Sequence, residues 1–177
     1  LVYHPPPPRD ESAEIEALGG EEVWFTAEDG TELHGWYFAH PSPRHVVLYA
    51  PGNAEDAGRN GEYMAYLRDR LEASMLVLNY RGYGLSAGQP DEPGLILDGV
   101  AAQRWLADKE GIDPEEIVLF GRSLGGGVMV AVAEKMGAAA LVVHNSFANM
   151  VDVGASAYPW LPVRWLMKNR FHSEERI

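Results

Sequence analysis

The segment best suited to covalent chemistry is Gly121-Arg122-Ser123-Leu124-Gly125, a hydroxyl set between two glycines. Gly-x-Ser-x-Gly is short enough to arise by chance, so its surroundings decide its value. Ile117-Val118-Leu119-Phe120 ahead of it is a continuous apolar run, and Leu124–Met136 behind it reads as a helix. A serine at a sharp strand-to-helix turn is held in an unfavourable backbone conformation with its Oγ raised from the sheet. Side chains two residues before and after that serine would crowd the strand and helix, which is why Gly121 and Gly125 suit the positions. The helix N-terminus behind the serine favours developing negative charge. Ser123 is then a candidate nucleophile, and the backbone N–H of Leu124 a candidate oxyanion donor. The plainer alternative is a glycine-rich turn in which Ser123 only caps the helix.

A second segment could serve the same oxyanion. Ala50-Pro51-Gly52-Asn53-Ala54 follows the apolar run Val46-Val47-Leu48-Tyr49. Loops at the carboxyl ends of parallel strands are where such sheets place ligands, and the backbone N–H of Asn53 is the candidate donor there. Pro-Gly-Asn is also ordinary turn chemistry. Asn79-Tyr80-Arg81-Gly82-Tyr83-Gly84-Leu85-Ser86 follows the next strand. Its arginine and aromatics suit either substrate contact or fixing of the loop, and loop fixing is the simpler reading.

These groups need a scaffold, and the apolar pattern supplies one. Val46–Tyr49, Met75–Leu78, Ile117–Phe120 and Ala140–Val143 are short continuous apolar runs, the signature of strands buried on both faces. Helical patterns over about Gly61–Leu71, about Gly94–Asp108 and Leu124–Met136 separate them. The alternation predicts a parallel α/β layer fold with helices on both faces. Ahead of it, Val23–Ala27 and Glu32–Phe38 alternate about the turn Glu28-Asp29-Gly30-Thr31, a β-hairpin that adds an antiparallel edge. His4-Pro5-Pro6-Pro7-Pro8-Arg9 is a polyproline lead-in. The expected organisation is a lead-in over residues 1–20 and one α/β domain over 21–177. After Val143, Phe147–Ala157 and Val163–Asn169 read as short helices broken by Tyr158-Pro159-Trp160-Leu161-Pro162, with no further strand. Trp160–Val163 with Trp165-Leu166 suits core packing or an apolar lip at a substrate entrance.

Composition narrows the chemistry. At 177 residues with 46% apolar content, the chain fits one globular domain. Acidic residues outnumber basic ones 26 to 14, giving a net charge of −12, which repels phosphate backbones and argues against nucleic acid as a partner. There are 0 cysteines, so thiolate nucleophiles and disulfide frameworks are excluded. No apolar run approaches the roughly 20 residues that span a bilayer. No His/Asp/Glu grouping shows metal-ligand spacing.

Taken together, Val47–Ala54, Leu78–Ser86 with Gly88, Asp98–Leu106, Ile117–Gly126 and Asn145–Phe147 resemble the α/β-hydrolases, and more narrowly the Bem46-like serine hydrolases. The similarity runs from about Val23 to the C-terminus. It implies a three-layer fold with a mostly parallel sheet, an N-terminal antiparallel hairpin and C-terminal strands missing from this chain. It implies Ser123 as nucleophile, the Asn53 and Leu124 amides as oxyanion hole, an ester or thioester substrate that is a small molecule or carries an acyl chain, and no metal or organic cofactor. Relatives often carry an N-terminal hydrophobic anchor, which would lie upstream of Leu1. The location is open between cytoplasm and membrane surface.

Two departures stand out. Pro51 occupies the place of the family's histidine in His-Gly-Asn. The acid and histidine of the triad follow the serine in this fold, and the resemblance ends the chain before the strand that leads to the acid. Of the six histidines, His4, His34, His40 and His45 precede Ser123, His144 ends a strand near it, and His172 lies in the tail. His144 reads as a strand-end residue or a local base. Asp152 with His172 has the right chain order for a triad, but no strand lies between them. A serine without a base is a poor nucleophile. The expectation is therefore a serine hydrolase whose base and acid come from sequence beyond this chain, or else a naturally truncated, non-catalytic binding or assembly module. The strand Ala140–Val143 would form an unpaired apolar edge, requiring cover from a missing C-terminal segment, a second polypeptide or self-association.

Overall fold

The computed structural model describes residues 3–7 and 9–146. The expectations over Phe147–Ala157, Trp160–Leu166, Val163–Asn169, Asp152 and His172 fall outside them.

Six strands form one sheet in the order β1-β2-β4-β3-β5-β6. β1 (Gly20–Thr26) and β2 (Glu32–Phe38) make the expected hairpin, with Trp24 opposite His34 and Thr26 opposite Glu32. Its turn places Gly30 at φ +85°, a conformation that glycine adopts without strain. β2 also lies antiparallel to β4 (Ala73–Leu78), so the hairpin extends a parallel sheet made of β4, β3 (His45–Ala50), β5 (Val118–Arg122) and β6 (Ala140–His144). Helices α1 (Ser12–Ala17), α2 (Gly61–Leu71), α3 (Glu92–Glu110) and α4 (Leu124–Met136) complete the domain.

The continuous apolar strands divide their side chains between two cores, as alternation across a pleat requires. Leu48, Leu76, Leu78 and Leu119 face Leu95, Ala102 and Leu106 of α3 and Val128, Met129 and Val132 of α4. Val47, Tyr49, Met75 and Val77 face the other side, against Ile15 of α1 and Met64 and Ala65 of α2. The result is a sheet covered by helices on both faces. One helix was not expected: α1 lies inside the lead-in, where Ile15 is buried against the second core.

α3 starts earlier than its apolar pattern suggests because Asp91 caps it, its carboxylate accepting the Gly94 N–H at 2.7 Å, and it ends on Gly111 in the left-handed region. At the far edge, Val142 and Val143 of β6 are exposed. Among the described residues, no helix is long and apolar enough to cross a membrane.

Candidate active site

β5 delivers the chain to Ser123, and α4 begins immediately after it. Parallel pairing of β5 with both β3 and β6 fixes the height at which this turn occurs: Gly121 lies opposite Ala50 and Val143, and Arg122 opposite His144. Ser123 has φ 51° and ψ −114°. A non-glycine residue at positive φ is strained and persists only when its surroundings over-determine it. The surroundings here do so by close packing. A Cβ at Gly125 would fall well inside contact distance of the Ala50 carbonyl and meet the Pro51 oxygen at 2.9 Å. One at Gly121 would meet the backbone of Gly125 and Gly126. Helix and strands therefore approach backbone to backbone, as the two glycines of the motif predict.

Ser123 heads α4, but its side chain makes no capping hydrogen bond. The capping alternative raised by the sequence does not describe this turn. The backbone holds it instead: the Ser123 N–H donates to the His144 carbonyl at 2.9 Å, and the Ser123 carbonyl accepts the Gly126 N–H at 3.0 Å and the Ser146 hydroxyl at 2.7 Å. His144 thus supports the turn through its carbonyl at the end of β6. Ser123 is half-buried, and Leu124 is buried behind it.

The loop after β3 lies against this turn and the start of α4: a Cβ at Gly125 would meet the Pro51 oxygen at 2.9 Å, and one at Gly52 would just fit, 3.6 Å from the Ser123 Cβ. The aromatics of the segment after β4 hold the loop, as do several groups that sequence reasoning did not single out. The Tyr80 hydroxyl donates to the Pro51 carbonyl at 2.9 Å, and the Tyr83 hydroxyl to Asn53 Oδ1 at 2.7 Å. The His4 N–H reaches the same Asn53 oxygen at 3.0 Å, and Arg59 bonds the Pro7 carbonyl at 3.3 Å, tying the polyproline lead-in over the loop. Glu55 accepts the Gly52 N–H at 3.2 Å and pairs with Arg122. Tyrosines and a carboxylate thus support the loop where Pro51 stands. Burial pushes the Tyr80 hydroxyl well above its ordinary range and Tyr83 up to about 12, so both stay protonated donors at neutral pH.

Arg81, the other candidate ligand group, is engaged by carboxylates of α3 and of the β1–β2 turn. Its backbone N–H and Nε donate to Asp98 at 2.8 and 2.9 Å, and Nη1 to Asp29 at 2.7 Å. It fixes the loop after β4 to α3 and to the β1–β2 turn, which is the loop-fixing role. His34 is buried between β1 and β4, with Nδ1 2.7 Å from Asn79 Nδ2 and Nε2 3.2 Å from Glu22 Oε1. A cavity of about 420 Å³ beside it is lined by Glu22, Trp36, Asp56, Asn79 and residues of the lead-in. Among the described residues, no group of three or more His, Asp or Glu side chains could hold a metal ion.

Comparison with known proteins places this arrangement. A family described as the alpha/beta hydrolase fold matches residues 53–175, and the chain belongs to it. An uncharacterized protein of Mycobacterium tuberculosis is 41% identical over 179 residues, covering 100% of this chain and 63% of that protein. The alpha/beta hydrolase domain-containing protein 17C of Mus musculus is 33% identical over 130 residues, covering 72% of this chain and 41% of its own length. Among solved structures, an esterase of Pyrococcus furiosus superposes with a TM-score of 0.66 at 23% identity, over 94% of this chain and 65% of the esterase. The chain thus spans less than two thirds of the length of these relatives.

Proposed function

We propose that this chain carries the nucleophile and oxyanion hole of a Bem46-like serine hydrolase that cleaves a carboxylic ester or thioester through an acyl-enzyme on Ser123. The observation that carries the reading is the strained backbone of Ser123, at φ 51°, combined with a hydroxyl that does not cap its helix. A turn this constrained has no structural use for its side chain, whereas a nucleophile needs its oxygen raised and uncommitted. Similarity to the mouse alpha/beta hydrolase domain-containing protein supports hydrolysis, and the likeness in fold to an esterase is compatible with an ester substrate.

Ser123 Oγ attacks the carbonyl carbon while a histidine takes its proton. The oxyanion accepts hydrogen bonds from the Leu124 and Asn53 amides, and the α4 N-terminus favours its charge. Collapse expels the alcohol or thiol, protonated by the same histidine, and leaves the acyl-serine. Water then attacks the acyl carbon, releasing the acid and restoring Ser123. The base and its acid partner follow Ser123 in chain order, outside the described residues. Without them the oxyanion hole alone gives only residual catalysis.

A fluorophosphonate probe tests the reading on the full-length protein. Labelling is expected at Ser123, and Ser123→Ala is expected to abolish it and to lower p-nitrophenyl ester turnover by about 10³-fold or more. A folded wild-type protein that the probe leaves unlabelled overturns the proposal.

A further inference from the structure

Glu55 takes no part in the steps above, yet its carboxylate spans the two loops from which both proposed oxyanion donors come. Oε2 accepts the Gly52 N–H at 3.2 Å, and the Glu55 N–H donates to the Gly52 carbonyl at 3.2 Å, so residues 52–55 close as a reciprocal turn. Oε1 pairs with Arg122 Nη1, on the residue immediately before Ser123. One oxygen thus grips the loop after β3 and the other grips the last residue of β5, which leads into the serine turn. The two segments lie close at this point: a Cβ added at Gly52 would just fill the space, 3.5 Å from the Glu55 carboxyl carbon and 3.6 Å from the Ser123 Cβ.

We propose that Glu55 is a positioning residue that sets the separation of the Asn53 and Leu124 amides, with Arg122 as its anchor on the serine turn. The proposal rests on the reading of Ser123 as nucleophile. Its physical basis is that the other side-chain holds described on Pro51 and Asn53 come from elsewhere. Tyr80 and Tyr83 fasten Pro51 and Asn53 to the segment after β4, and His4 fastens Asn53 to the lead-in. Those bonds fix the loop relative to its outer neighbours; Gly125 packs against Ala50 and Pro51 at the start of the loop, and beyond them the Glu55–Arg122 pair joins the loop to the residue before Ser123. The pair is partly exposed, with 25% and 42% of its side-chain surface open, and exposed pairs add little to folding stability. Geometry is what it can supply. Oxyanion donors act only within hydrogen-bond reach of the developing charge, and a displacement of about 1 Å costs on the order of 10²-fold in rate.

The experiment measures p-nitrophenyl butyrate turnover by the full-length protein, with active sites counted by fluorophosphonate titration. Glu55→Ala is expected to lower kcat per titrated site by about 10- to 100-fold while KM stays within about twofold, because the loss falls on the transition state. The melting temperature is expected to move by no more than about 3 °C. Arg122→Met should match it, the double variant should lose no more than either single one, and Arg122→Lys should recover part of the rate. Glu55→Gln, which keeps the acceptor for Gly52 and loses the charge for Arg122, carries the same cycle if Glu55→Ala does not fold. A kcat per titrated site within about twofold of wild type in the Glu55 variants, or losses that add in the double variant, overturns the positioning role while labelling of Ser123 stands. A folded wild type without labelling overturns the nucleophile reading and this proposal with it.

Discussion

The turn at Ser123 and the corner at Arg81 follow β5 and β4, the two strands that flank β3, and they use their polar groups in opposite ways. At the Arg81 corner the charged groups are all engaged, one guanidinium with two carboxyl groups. Asp98 is fully buried and meets the arginine through two hydrogen bonds, and Asp29 meets it through another. Burial lifts the Asp98 carboxyl to about 6 against the pull of Arg81, while the hydrogen bond from Arg81 holds the exposed Asp29 carboxyl down at about 2. At the Ser123 turn the backbone is strained, side chains are excluded by glycine, and the hydroxyl is kept out of the helix cap. Both segments carry residue types that suit catalysis. What separates them is whether the folded structure already engages the reactive group.

Breaking each region should therefore fail in a different way. Arg81→Met strands the Asp98 carboxylate in the core, and an unpaired buried charge of this kind costs about 3–5 kcal/mol. Urea denaturation should show that loss, while the folded fraction still reacts at Ser123. If Arg81→Met instead keeps its stability and loses labelling, the corner is part of the chemistry and the contrast is void. Gly125→Ala should act on the other region. Its methyl would collide with the backbone carbonyls of Ala50 and Pro51, which cannot rotate away as a side chain can. The expected destabilisation is about 1–3 kcal/mol, with a slower rate of probe labelling because β3 and α4 must part beside Ser123. An unchanged labelling rate would show that the close approach serves packing alone.

The sequence made the Ser123 turn legible because its constraint is local. Two glycines around a serine, after an apolar strand and before a helix, restrict the backbone wherever the rest of the chain goes. The parallel strands were legible for a similar reason, since short runs such as Val46–Tyr49 and Met75–Leu78, each set between helical patterns, suit a doubly covered sheet. α2 and α4 match their expected spans at both ends. α1 was hidden because six residues with one buried apolar side chain, Ile15, present no period to detect. The holds on the loop after β3 were hidden because they are long-range. Glu55 and Arg122 are 67 residues apart, and Tyr83 and Asn53 are 30 apart. Nothing in either segment's own pattern names its partner, and only the β4-β3-β5 order of the sheet brings them together.

His34 sharpens the contrast on the engaged side with the smallest expected effect. The ring is 2% exposed and edge-on to Trp24 and Trp36, with centroids 5.0 and 5.6 Å away. Its neighbours assign the neutral form with the proton on Nε2, donating to Glu22 and accepting from Asn79 at Nδ1. Asn79 Oδ1 in turn accepts the Ala57 N–H at 2.6 Å, so the chain of bonds reaches the segment after β3. Burial lowers the His34 pKa below its ordinary 6.5, with the Glu22 charge opposing. The native state then binds fewer protons than the unfolded chain, so this contribution to stability is present above 6.5 and is lost as the pH falls through the lowered folded value. Below 6.5 the unfolding free energy should decline with a slope of at most about 1.4 kcal/mol per pH unit from this group, and His34→Gln should remove that component. Urea melts between neutral and mildly acidic pH measure the slope directly. The same slope in wild type and variant would mean that the ring is not held neutral by the fold, and that this corner is less fully engaged than its hydrogen bonds indicate.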